Sequence, residues 1–119
     1  INASELFFSG DFSTPLTSDQ AAASLLTDAL EAVRWAPSAV NKQPWRLVID
    51  ENRVHFFEKQ DKGYVKHETG DLQRIDVGIA MYHFEAVMKE AGKDVFWKKE
   101  DPQISLPENT FYIATAELA

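Results

Sequence analysis

Between residues 35 and 48 the chain reads WAPSAVNKQPWRLV, with a proline near each end of the loop and hydrogen-bonding side chains between them. Ser38, Asn41 and Gln43 carry hydroxyl and amide groups that both donate and accept. Pro37 and Pro44 narrow the loop's conformations before any ligand arrives, which lowers the ordering cost of binding. Such groups suit a neutral, flat heterocycle edged with carbonyls and ring nitrogens. They supply no general base, no metal site and no nucleophilic triad. The plainer reading is a helix stop followed by a polar surface loop, with Trp45 in the core, because polar loop residues usually serve turns.

Other residues with chemical potential are sparser. His55, His67 and His83 do not stand at a metal-binding spacing with a carboxylate, so no metal site is expected and structural or solvated histidines are. Residues 66–71, KHETGD, read as a polar loop that caps the following helix. Arg74 is a candidate ion-pair partner for Asp76. Trp35, Trp45 and Trp97 read as core aromatics, one of which can alternatively stack on a flat ring.

The elements that must position these groups follow from pattern. Residues 1–16 read as a loop, interrupted by Gly10, Asp11, Ser13 and Pro15. Thr17 and Gln20 stand at capping-box spacing. Ala22, Leu25, Leu26, Ala29, Leu30 and Val33 continue as one helical stripe that Pro37 ends. Residues 46–50 and 53–58 are β-rich runs around Glu51 and Asn52 and predict a hairpin. Residues 59–70 read as a loop. A second helix is predicted from Asp71 to Ala91, with Val77, Ala80, Met81, Phe84, Val87, Met88 and Ala91 facing inward and Gly92 as its stop. Gly78 within it lets another backbone come close. Two further strands are expected at 94–97 and 111–118. The helix–hairpin–helix–strand–strand order predicts an α+β fold with helices packed on a mostly antiparallel sheet.

Composition limits the function classes. The 119 residues are 45% hydrophobic and 26% charged, which describes a globular chain long enough for one core. A net charge of -7 and a pI near 4.8 argue against nucleic acid or an anionic membrane as partner. No apolar run has the length of a membrane span, no signal-like pattern opens the chain, and a cytoplasmic location is expected. With no cysteines, disulfides and thiolate chemistry are excluded within this sequence.

The order APSAVNKQPW, after an amphipathic helix and before a strand, resembles the signature of the nitroreductase family of flavoproteins. Ala36, Pro37, Ser38, Asn41, Gln43, Pro44 and Trp45 match it in order and spacing. The stretch DVGIAMYHFEAVMKEAG, residues 76–92, is similar to the family's long central helix. The resemblance implies a nitroreductase-like fold, non-covalent FMN and NAD(P)H-dependent reduction of nitroaromatics or quinones. Carried over by motif position, Pro37, Ser38, Ala39, Asn41 and Gln43 would be cofactor-binding residues, and no catalytic side chain is assigned. Pairing with a second half-domain, or a homo-oligomer, is implied as well.

The family's Arg-x-Ser segment, whose arginine holds the FMN phosphate, does not precede the first helix here. Arg34, Lys42 and Arg46 lie near the motif but outside that phosphate position. The chain begins at Ile1 and is short for the family. Residues 1–119 are therefore expected to be a nitroreductase-like domain from the C-terminal part of a longer chain, similar to the second half of the two-repeat nitroreductases of thermophilic bacteria. The alternative is a flavin-free structural or dimerisation module that keeps the fold.

Overall fold

A computed structural model describes residues 3–23, 26–38, 42–60, 65–66 and 70–118. A 3₁₀ turn, Ala3–Glu5, leads into β1 (Phe7–Ser9). Helices α1 (Ser18–Ala23) and α2 (Thr27–Arg34) follow. The hairpin is β2 (Trp45–Asp50) and β3 (Arg53–Lys59), and the short strands β4 (Val65–Lys66) and β5 (Gly70–Asp71) precede α3 (Leu72–Glu90). β6 (Val95–Lys98) and β7 (Thr110–Leu118) complete the chain.

Five strands form one sheet in the order β1-β2-β3-β7-β6. β1 runs parallel to β2, and the other three pairings are antiparallel. The fold is α+β and the sheet mostly antiparallel, as the sequence order predicts. Among the described residues β4 and β5 pair with each other and with no other strand.

Three expectations need correction. Residues 1–16 are not all loop, because Phe7–Ser9 adds a parallel edge strand to β2. Three residues carry too little alternation to announce a strand, and the pairing comes from docking Leu6 and Phe7 into the core. Residues 59–70 likewise are not all loop, because they hold the end of β3, all of β4 and the first residue of β5.

The single helix predicted from Thr17 to the Pro37 stop is two helices, and Leu25 lies outside the described residues. Ala21 and Leu26, both in the core, stand five positions apart. On a straight helix that spacing separates them by ~140°, so one unbroken helix cannot turn both inward. The backbone instead gives a Leu26 N–H to Ala21 C=O bond of 3.0 Å. The start of α1 is as expected: Thr17 N–H donates to Gln20 Oε1 at 2.9 Å and Gln20 N–H to Thr17 Oγ1 at 3.1 Å.

Alternation along the strands separates two faces. Leu47, Ile49, Val54, Phe56 and Ala116 turn to the helices and pack with Ala29, Leu30 and Val33 of α2 and Val77, Ala80, Phe84 and Met88 of α3. Phe56, Phe84 and Trp97 meet edge-to-face, with centroids 5.4–6.4 Å apart. Met81 and Val87 of the predicted inward face are only partly buried, and Ala91 is exposed. On the other face Phe12 covers Phe57 at 5.0 Å, and Phe57 meets Tyr112 at 5.7 Å. Gly92, at φ 77°, ends α3 with Lys93 N–H donating to Met88 C=O at 2.9 Å. That left-handed stop is the role expected of the glycine.

Candidate functional site

The proline-stiffened loop lies between the C-terminus of α2 and the first residue of β2. Its two ends are held locally. Ala36 N–H donates to Val33 C=O at 3.1 Å, and Lys59 N–H from β3 donates to Pro44 C=O at 2.8 Å. Between them Gln43 takes a left-handed backbone, φ 48°, which a side chain with a Cβ adopts at a cost.

Three hydrogen bonds on residue 43 offset that cost. Gln43 N–H donates to Ser38 Oγ at 2.9 Å, and Gln43 Nε2 donates to Arg34 C=O at the end of α2 at 2.7 Å. Arg46 Nη1 donates to the carbonyls of Gln43 and Trp45, each at 2.8 Å. Residue 43 is thus tied through its N–H, its carbonyl and its side chain. Arg46, at the strand's second position, was not a site candidate in the sequence. Its spacing of three from Gln43 was the only available signal, and spacing outside a helix does not fix direction.

The loop brings together some of the expected site residues. Pro37 is exposed and Ser38 half-buried, while Gln43 is buried at 9% exposure. Ala39 and Asn41 lie outside the described residues. Trp45 is fully buried in the core, and its Nε1–H has no acceptor among the described residues. Trp35 corrects the expectation of a core aromatic: its side chain is 75% exposed. Its indole N–H donates to Glu31 Oε2 at 3.1 Å, and the Arg34 guanidinium lies 5.4 Å from the ring centroid. A helix that ends at Arg34 leaves Trp35 no inward turn to occupy.

The donor set bears on what the loop can hold. A hydroxyl on a braced loop beside an exposed proline suits the carbonyl and nitrogen edge of a planar ring. A phosphate dianion needs cations. Arg34 lies 3.7 Å from Glu31, and Arg46 is occupied by backbone carbonyls. Among the described residues the loop thus offers hydroxyl and amide groups, while Arg34 and Arg46 are engaged within the chain.

Two other polar clusters lie apart from the loop. Glu58, fully buried on the helix face, accepts from Arg74 Nε at 3.2 Å. The expected Asp76 is also buried, in the second turn of α3. On the opposite face His55 is buried beneath the segment that follows β6, and burial holds its imidazole below the usual histidine range. His83 stands half-buried beside Tyr82, and His67 lies outside the described residues. Among the described residues no three histidine or carboxylate side chains gather as a metal site, and no helix is long and apolar enough to cross a membrane. A cavity of about 240 Å³ lies between β1, α1 and α2, lined by Phe7, Leu16, Thr17, Ala21, Leu30 and Glu31. Among the described residues, none of the 36–45 loop borders it.

Comparison with known proteins identifies the family and the fold. The family model described as "Putative TM nitroreductase" matches residues 15–88, which include the whole loop and most of α3. No curated protein matches. Among solved structures, a nitroreductase family protein from Clostridium difficile 630 superposes with a TM-score of 0.66 at 23% identity, over 87% of this chain and 72% of that one. A nitroreductase family protein from Clostridium novyi NT gives 0.65 at 16% identity, over 88% and 75%. A structure described as an oxidoreductase containing FMN gives 0.62 at 19% identity, over 88% and 67%. At these identities the likeness is one of fold.

Proposed function

Because the chain belongs to the "Putative TM nitroreductase" family, we propose that it provides the ring-binding half of an FMN-dependent oxidoreductase. FMN, when bound, supplies hydride chemistry between NAD(P)H and a nitroaromatic or quinone. The chain's own residues bind and orient. Pro37 and Ser38 offer an exposed edge, and Ala39 and Asn41 belong to the same motif loop. Gln43 and Arg46 hold that edge in place. The observation that carries this reading is the brace from Ser38 Oγ through Gln43 to Arg34, which ties both of these motif residues to the end of α2. The FMN-containing neighbour supports the choice of cofactor.

The phosphate clamp comes from a second half-domain or protomer. In support, α3 presents an apolar stripe to solvent: Ile75 and Tyr82 are 60% and 71% exposed, with Gly78 and Ile79 between them. The stripe follows helical spacing, and the glycine lets another backbone approach closely.

A flavin-free module is the second reading, favoured by the occupation of Arg34 and Arg46 within the chain. FMN titration separates the two. The 119-residue chain alone is expected to bind FMN weakly, and the same chain with a half carrying the Arg-x-Ser segment is expected to bind stoichiometrically and become yellow. Absence of flavin from both preparations selects the flavin-free module.

A further inference from the structure

The loop's own bonding separates two roles that the motif runs together. Gln43 has little left to offer a ligand. Its N–H is given to Ser38 Oγ, its carbonyl accepts from Arg46, and its side-chain amide donates to Arg34 C=O. The residue is buried, and its left-handed backbone needs these restraints to persist. Ser38 is in the opposite situation. Its oxygen already accepts from Gln43, so the hydroxyl proton remains to be donated, and the side chain is half-exposed at the loop's edge.

From this we infer that Gln43 is a positioning residue that holds the Ser38 hydroxyl as a directed donor toward an acceptor atom on a planar ligand. The mechanism is local. The amide of Gln43 fixes the side of Ser38 Oγ that accepts, which limits the directions left to its O–H. The side chain on Arg34 C=O ties residue 43 to the rigid end of α2, so the serine is referenced to a helix instead of to a free loop. Ligands that present a bare carbonyl or an unprotonated ring nitrogen at Ser38 match this polarity. Ligands that present an N–H there leave the serine proton without an acceptor. The flavin as occupant rests on the function proposed above, whereas the Ser38–Gln43–Arg34 coupling does not.

Two measurements on the full chain, with its partner half added where FMN requires it, test the inference. The first uses no flavin. Amide exchange at position 43, read by NMR, is expected to speed up on the order of tenfold in Ser38→Ala and also in Gln43→Met, which keeps the side chain's length and removes its donor. Unchanged exchange in both variants overturns the brace. The second is a double-mutant cycle in FMN affinity. Gln43→Met is expected to weaken FMN on the order of tenfold in the native background, and by less than about twofold where Ser38→Ala has already removed the hydroxyl. A general structural defect would weaken binding equally in both backgrounds, and so would a direct contact from Gln43. Equal losses therefore sink the inference while leaving the flavin reading intact. No FMN uptake by any form sinks the flavin reading and the ligand role of Ser38 with it.

Discussion

His55 Nδ1 lies 2.7 Å from Thr115 Oγ1 across the β3–β7 pair, and both side chains are buried. Thr115 Oγ1 is also 3.2 Å from Glu100 C=O, which can only accept. Tyr112 OH accepts from Glu100 N–H at 2.7 Å and lies 2.7 Å from Thr115 Oγ1. Which of His55 and Thr115 donates follows the histidine tautomer. The network ties the start of the segment after β6 to the buried pair.

Stability is expected to fall as pH drops below the ordinary histidine pKa. Burial lowers the folded-state pKa of His55 from 6.5, against smaller opposing contributions from Asp50, Glu100 and Asp101; Arg53 acts with burial. Above that pH both states are neutral at His55 and it adds no slope. Below it the unfolded chain takes a proton that the folded chain resists, so unfolding becomes easier until the folded-state pKa is passed. Urea unfolding at pH 7.5 and 5.5 measures this. His55→Asn, which still offers an N–H, should flatten the difference, and an unchanged slope in that variant assigns the effect elsewhere.

Thr115→Val removes the oxygen shared by His55, Tyr112 and Glu100 while keeping the side chain's shape. A buried donor left without its partner costs about 1–3 kcal/mol. Denaturant midpoints should shift accordingly, with faster amide exchange at Glu100. A neutral substitution would mean that water replaces the hydroxyl.

Phe84→Ala opens the contact between α3 and the sheet, where Phe84 meets both Phe56 and Trp97. The expected loss is about 3–5 kcal/mol, read by thermal or urea unfolding. A loss below about 1 kcal/mol would show that α3 collapses onto the sheet without it.

Arg74→Met should destabilise the chain by about 1–3 kcal/mol, because it takes the guanidinium away from a fully buried carboxylate. The loss is set below that of a fully buried pair since the Arg74 side chain is 55% exposed. Calorimetric melting of the variant beside the native chain provides the check.

Tyr82→Glu places a charge on the exposed stripe of α3 without touching the core. Association through that stripe should weaken on the order of tenfold or more, seen by sedimentation at several concentrations, with the melting temperature of the separate chain unchanged. A native chain that remains monomeric at high concentration with the second half present removes the proposed partner surface.

The sequence by itself determined most of the secondary structure, because those signals are local. The capping pair Thr17 and Gln20, the stop at Pro37, the β-rich runs 46–50 and 53–58 and the glycine at 92 each act over a few residues, and a helix start, a helix end, a hairpin and a helix stop formed at or within a few residues of them. The APSAVNKQPW segment also carried the family, since seven matched positions in order are a property of the chain and not of its folding. What only the tertiary structure decided depended on distant partners. Phe7–Ser9 became a strand because β2 offered a free edge. The first helix broke because Ala21 and Leu26 both had to reach one core. The bonding of Gln43 was hidden for the same reason. An amide donates equally well to a ligand or to a backbone carbonyl, and only the packed end of α2, 2.7 Å away at Arg34, settled which.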